Sequence, residues 1–188
     1  MRLETERLIL RPMEEGDAPA LFTIMNDPDV THNLLLPHPF PEDQVLAWIT
    51  KRREAWEKRV LFAAAIILKE TGELIGTCSL TDVSWDHLRA KLIYWLGKPY
   101  WGRGYMTEAA GRMMKFGFEE LGLERISVGC FARSKASARV IEKLGFKYEG
   151  CLRHEFLKDG EFQDELRFGM IREEYVAVNS DEGGVVEC

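Results

Sequence analysis

The chain has 188 residues, 46% of them hydrophobic, which is enough to bury one substantial core. Its formal net charge of −6 argues against a general nucleic-acid surface, for which a basic patch is expected, and suits a cationic partner such as an amine or a basic peptide. No apolar run is long enough to span a membrane, and Met1-Arg2-Leu3-Glu4 does not open a signal peptide, so a cytoplasmic protein is expected.

Glu4 to Pro12 reads as a first strand stopped by proline. Asp17 is placed to cap a short helix with Ala18, Leu21, Phe22 and Met25 on one face. Pro28, Pro37, Pro39 and Pro41 break up the next segment, giving an irregular loop around Asn33 to Leu36. Glu42 to Arg59 is a second helix, with Val45, Leu46, Ile49 and Trp56 as its buried stripe and its charges on a wet face. Leu61–Leu68 and Leu74–Leu80 flank a turn at Gly72 and form a β-hairpin, and a further strand runs from Leu88 to Leu96.

A helical pattern then passes through Met113, Met114, Phe116 and Leu121, and Arg125–Phe131 alternates as a fifth central strand. Ser134 or Ser137 caps the next helix, whose inner face is Val140, Ile141 and Leu144 and whose end is Gly145. Phe146–Glu155 and Phe162–Ile171 form a closing hairpin around Lys158-Asp159-Gly160. Residues 178–188, with Gly183-Gly184 and three acids, read as a disordered acidic tail. No repeat or linker divides the rest, so residues 1–177 are expected to be one domain. Cys78, Cys130, Cys151 and Cys188 show no C-x-x-C and no histidine at ligand spacing, so reduced thiols and no metal site are expected.

The most informative stretch is Pro99-Tyr100-Trp101-Gly102-Arg103-Gly104-Tyr105-Met106-Thr107-Glu108, a glycine-rich turn between a buried strand and a helix. Free N–H groups and a helix dipole converge on an anion in such a place, and glycine lets a phosphate approach the backbone. The dinucleotide pattern G-x-G-x-x-G fails because Thr107 stands at its third glycine, and a Walker sequence is absent. Two glycines alone also fit a plain tight bend.

The flanking residues are more specific. Trp101-Gly102-x-Gly104-Tyr105-x-x-Glu108-Ala109 after Tyr94-Trp95-Leu96 resembles the coenzyme A loop of the GCN5-related N-acetyltransferases (GNAT), in the RimJ/RimL branch. The opening Thr5-x-Arg7-Leu8-x-Leu10-Arg11, the segment Ser134-x-x-Ser137 to Glu142-Lys143-Leu144-Gly145-Phe146, and Asp164-Glu165 resemble the same branch, so the matches run from Glu4 to Tyr175. The resemblance implies an α/β GNAT fold: a mixed, mostly antiparallel sheet of six to seven strands, splayed in the middle and flanked by about four helices.

It further implies acetyl-CoA as co-substrate, with its pyrophosphate on the N–H groups of Trp101, Gly102, Arg103, Gly104, Tyr105, Met106 and Thr107. Pro99 departs from the Gln or Arg that the general family carries there, and proline has no N–H to give. The backbone of Tyr94, Trp95 and Leu96 would admit the pantetheine arm and polarise the thioester carbonyl, and Ser134 would stand where the family has an asparagine on the pantetheine. The loop around Leu34 to Leu36 would be either core or a lip facing the acceptor.

Acetyl transfer to an amine needs a neutral nucleophile, donors for the oxyanion and a proton for the departing thiolate. The tyrosine that many relatives use as the acid is replaced by Ile141. The RimL-like pattern instead offers Ser137 as the acid, with a helix cap as its alternative role, and Glu155 as the base, with an exposed strand carboxylate as its alternative. Glu108 in a helix's first turn reads as structural, and His87 and His154 lack placed partners. The acceptor implied is an amine, with a ribosomal-protein N-terminus and a small amine such as a polyamine or antibiotic both open. A non-catalytic acetyl-CoA sensor is the reading from another class. The chain would be a monomer or homodimer acting on neither nucleic acid nor membrane.

Overall fold

In the computed structural model, which describes residues 2–181, the apolar runs assemble into one sheet of eight strands. They are β1 (Leu3–Glu4), β2 (Leu8–Pro12), β3 (Phe62–Leu68), β4 (Leu74–Ser84), β5 (Arg89–Leu96), β6 (Arg125–Phe131), β7 (Lys147–Lys158) and β8 (Glu161–Ile171). Their spatial order is β1-β2-β3-β4-β5-β6-β8-β7, and the pair β5/β6 is parallel while the other neighbours are antiparallel.

Every residue of β3 is buried, because the strand is central and covered on both faces. Phe62, Ala64, Ile66 and Leu68 face one cluster, and Ala63, Ala65 and Ile67 face another. The first cluster is closed by α4 (Tyr105–Lys115), α5 (Lys135–Lys143) and α6 (Arg172–Asp181); the second by α1 (Ala18–Met25), α2 (Pro28–Thr31) and α3 (Val45–Glu57). On α4 the buried positions Met106, Ala109, Ala110, Met113 and Met114 follow the helical repeat, and the two alanines admit the helix close to the sheet. Ile66 is fully buried, so Ile66→Ala would cost about 2–5 kcal/mol.

Five details differ from the sequence reading. Six α-helices flank the sheet among the described residues and not about four, because Pro28 starts the short helix α2 where an irregular segment was expected and the chain after β8 continues as α6. The sheet has eight strands and not six or seven, because the first strand is bent at residues 5–7, where the Thr5 N–H donates to Leu8 O, and Leu3–Glu4 folds back on Ile9–Leu10. Asp17 does not cap α1: its carboxylate is taken by the Arg11 guanidinium and the Glu14 N–H. Leu46 is 51% exposed, since Val45 and Ile49 already fill the face that α3 turns to the core. Val178 lies in α6, whose Tyr175 packs on Phe118, so the helix overruns the expected start of the tail; residues 182–188 of that expected tail lie outside the described residues.

Candidate active site

After β5 the chain makes one tight turn at Lys98–Tyr100 and reaches α4 through Gly102 (φ +74°) and Gly104 (φ +79°), a left-handed geometry that other residues adopt only with strain. Helical bonding starts with the Glu108 N–H on Gly104 O, at 3.1 Å. The N–H groups of Gly104, Tyr105, Met106 and Thr107 are thereby left at the positive end of the helix, the arrangement that accepts an anion. Trp101 does not belong to that set: its N–H donates to Lys98 O at 3.2 Å and its indole N–H to Leu96 O at 2.9 Å. Arg103 points its side chain to solvent and does not line the cleft; its carbonyl accepts from Arg7 Nη1 at 3.0 Å.

Glu108 anchors this loop to the bent first strand. It accepts from Thr5 Oγ1 (2.5 Å), the Arg7 N–H (2.8 Å) and Arg7 Nε (2.7 Å), and the Arg7 guanidinium lies over the Tyr105 ring. Partial burial opposes the charge, yet the bonds from Thr5 and Arg7 outweigh it and hold the carboxyl below its ordinary value.

Beside the loop the sheet opens. β5 pairs with β6 only from Arg89↔Arg125 to Leu92↔Val128, whereas β5 runs on to Leu96 and β6 to Phe131. The Gly97 N–H reaches Ile75 O on β4, and the carbonyls of Leu88 and Ala90 turn toward β6. The two-residue period therefore aims the peptide groups of Tyr94 and Leu96 into the gap and gives Trp95's to β4. Of the three backbone positions expected to serve the thioester, Tyr94 turns its N–H and carbonyl to the gap, Leu96 offers its N–H while the Trp101 indole holds its carbonyl, and Trp95 faces away.

The gap and the loop form one cavity of about 590 Å³. Its lining includes Tyr94, Trp95, Leu96, Trp101, Gly102, Gly104, Tyr105, Met106, Thr107, Ser134 and Ser137, so the strand end, the loop and α5 are brought together as expected. Arg139 and Lys143 also line it, one helical turn apart on α5. Neither serine caps α5 with its side chain. Ser137 Oγ instead lies 3.0 Å from Tyr94 Oη, and it sits beside the Cys130 thiol. Burial raises the Tyr94 phenol, and the Ser137 contact offsets this only in part. Burial likewise pushes the Cys130 thiol up to about 11 against the same contact. All three groups carry their protons at neutral pH. The Tyr94 phenol was not legible as a donor in the sequence, because its partner is 43 residues away.

Glu155 is not brought into this site. It is exposed on β7, faces Arg167 Nη2 at 3.5 Å and does not line the cavity. A two-residue register slip between Leu152 and Phe156 bulges the strand beside it. His87 is exposed, and His154 stacks on Phe162 while its N–H donates to Asp164 Oδ1. The carboxylate that does line the cavity is Glu165 of β8. Opposite it, the loop after α2 is held by two cations: Arg133 Nη2 donates to His32 O at 2.5 Å and Lys158 Nζ to Leu36 O at 3.1 Å. Leu34 and Leu35 of that loop line the cavity, while Leu34 and Leu36 also pack on the second core. Among the described residues no group of three or more His, Cys, Asp or Glu is placed to hold a metal ion.

Residues 7–147 match the family described as the acetyltransferase (GNAT) domain. The chain belongs to the GNAT acetyltransferases. These enzymes use acetyl-CoA, and the residues present fit it: an anion cradle at α4 and an open strand edge lead to a hydroxyl pair. This GNAT enzyme is 33% identical over 174 residues to "Uncharacterized N-acetyltransferase p20" of Bacillus licheniformis, covering 92% of the chain and 97% of that protein. It is 30% identical over 112 residues to the spermidine N(1)-acetyltransferase of Escherichia coli (strain K12), covering 60% of each. Among solved structures, the RimL ribosomal L7/L12 alpha-N-protein acetyltransferase in complex with coenzyme A superposes with a TM-score of 0.85 at 18% identity. That likeness covers 93% of this chain and 99% of the other, and it shows the shared fold.

Proposed function

We propose that this enzyme moves the acetyl group of acetyl-CoA directly onto a primary amine, and that the amine is the α-amine of a protein N-terminus, as in the RimJ/RimL branch. The observation that carries the transfer reading is the early end of the β5/β6 ladder at Leu92↔Val128, with the α4 N-terminus at one end of the gap and the Tyr94–Ser137 hydroxyl pair beside it.

Each part then has a task. The N–H groups of Gly104 to Thr107 take the pyrophosphate, with Arg139 and Lys143 adding positive field. The Tyr94 and Leu96 peptide groups orient the thioester, whose extended arm completes the strand edge that β6 leaves open. The acceptor ammonium first gives one proton to solvent in the open cavity. The neutral nitrogen attacks the carbonyl carbon, the carbon–sulfur bond breaks, and the thiolate takes a proton from the Ser137 hydroxyl, which Tyr94 resupplies. The proton shed by the nitrogen as the amide forms returns to the Tyr94 phenol through solvent. Holding the two reactants in one cavity supplies much of the acceleration.

The favoured acceptor is set by charge. Among the described residues Glu165 is the only carboxylate lining the cavity, against Lys91, Arg139 and Lys143. A polyamine carries several ammonium groups and would be repelled, whereas an N-terminus brings one. The second reading, a polyamine acceptor, is favoured by the similarity to spermidine acetyltransferase. Incubation with acetyl-CoA and either peptides with free N-termini or spermidine, read by coenzyme release and by product mass, separates them. Acetylation of peptides is expected; turnover with spermidine alone would overturn the N-terminal reading, and turnover with neither would overturn both.

A further inference from the structure

We propose that Glu165 receives the ammonium group of the acceptor, displacing Lys91 from its carboxylate. The inference rests on the amine reading above and names the recognition group within that same site.

Glu165 is a buried acid with an unusual setting. It is only 3% exposed, yet it lines the cavity. Its Oε2 lies 2.5 Å from Arg167 Nε, but the N–H is not aimed along that line, and neither atom makes a hydrogen bond. Its Oε1 is 3.5 Å from Lys91 Nζ, long for a charge-assisted contact, which closes to about 2.7–2.9 Å when unhindered. Its charge is thus paired with two cations, but its only hydrogen bond is the long one from Lys91, and a buried oxygen without a donor is costly unless something else completes it. A substrate ammonium supplies three donors to the same oxygens.

The position suits an amine. Across the ladder Glu165 pairs with Phe131, the last residue of β6, at the open end of the gap. A Cβ on Gly129 would collide with Oε1, so only glycine leaves the carboxylate its place. Alternation along β6 puts Gly129 on the face opposite Val128 and Cys130, and Cys130 is the thiol that Ser137 contacts. Glu165 and the hydroxyl pair therefore stand on opposite faces of the sheet, joined through the gap. The amine enters from the α1–α3 side and the thioester from the α4–α5 side.

The surroundings restrict the acceptor. Leu34, Leu35, Phe131 and Phe156 wall this end of the cavity, and Lys91 and Arg167 flank the acid. The substrate class is thus a molecule with one ammonium and an apolar group next to it, such as a peptide with a free N-terminal leucine.

The test uses that peptide with the wild type, Glu165→Gln and Lys91→Met, measuring peptide kinetics, acetyl-CoA affinity by calorimetry, and thermal melting. Glu165→Gln is expected to raise the peptide KM at least tenfold while acetyl-CoA affinity stays within twofold. Lys91→Met is expected to lower the peptide KM several-fold by removing the competing cation. An unchanged KM in a folded Glu165→Gln enzyme overturns the inference and leaves the amine reading standing. If Glu165→Gln fails to fold, Lys91→Met decides: an equal or higher KM overturns the proposal. A wild type that acetylates no amine overturns the amine reading and this inference with it.

Discussion

Tyr94 Oη stands 3.0 Å from Ser137 Oγ, joining the open end of β5 to the first turn of α5. A proton that leaves Ser137 for a thiolate can be replaced from Tyr94 without water. Ser137→Ala and Tyr94→Phe should therefore lower kcat far more than they raise the KM for acetyl-CoA, since the thiolate forms only late in the reaction. A loss of about 10²–10⁴-fold is expected for Ser137→Ala. The double variant should be little worse than Ser137→Ala alone, because one relay is broken either way. Additive losses in steady-state kinetics would assign the two hydroxyls separate roles.

The glycine loop should set coenzyme affinity. Gly104 has φ +79°, and a Cβ there would meet Arg7 Nη2 at 3.4 Å, an ordinary contact with a flexible side chain, so alanine acts through backbone strain. Gly104→Ala is expected to weaken acetyl-CoA binding at least tenfold, about 1.4 kcal/mol. Calorimetry showing unchanged affinity would remove the loop from the site.

Much of this loop was legible because its chemistry is local: two glycines, a strand before and a helix after. The strand β6 and the closing hairpin were also legible from alternation and turn residues. Of the hydroxyl pair, Ser137 was offered by the sequence and the Tyr94 phenol was not. For Glu155 the sequence leaves a base and an exposed strand carboxylate both open, and the structure has it exposed beside Arg167, next to a bulge between Leu152 and Phe156. Glu165 gains its place from Gly129 of a different strand. Tyr94 gains its partner from a helix beyond the next strand. Such cross-strand relations depend on register, which a single sequence leaves open.

Glu108 should tie stability to pH. Its folded-state pKa is depressed, so its contribution is present above the unfolded carboxyl value and is lost as pH falls through the folded one. Glu108→Gln keeps the shape but loses the charge that holds Thr5 and Arg7. A loss of about 1–3 kcal/mol near neutral pH is expected from urea unfolding. That difference should shrink as the pH drops below the ordinary carboxylate range, where the wild type also becomes neutral. A difference that is constant with pH would place the effect in packing and not in the charge.

Transfer should proceed without an acetyl-cysteine. A nucleophilic thiol needs a lowered pKa. Burial instead raises Cys78 strongly, with a hydrogen bond from the Ser79 backbone opposing it weakly, and pushes Cys130 up to about 11. Cys151 is exposed on β7 and does not line the cavity. Cys130 does line it, beside Ser137, and is the thiol best placed to be tested. Cys130→Ala should keep turnover within a few-fold, the residual change reflecting the lost contact to Ser137. Initial-rate kinetics should show intersecting lines, as expected when both substrates must be bound before transfer. Parallel lines, or a mass increment of one acetyl on Cys130 that disappears when the amine is added, would replace direct attack by a two-step mechanism through the thiol.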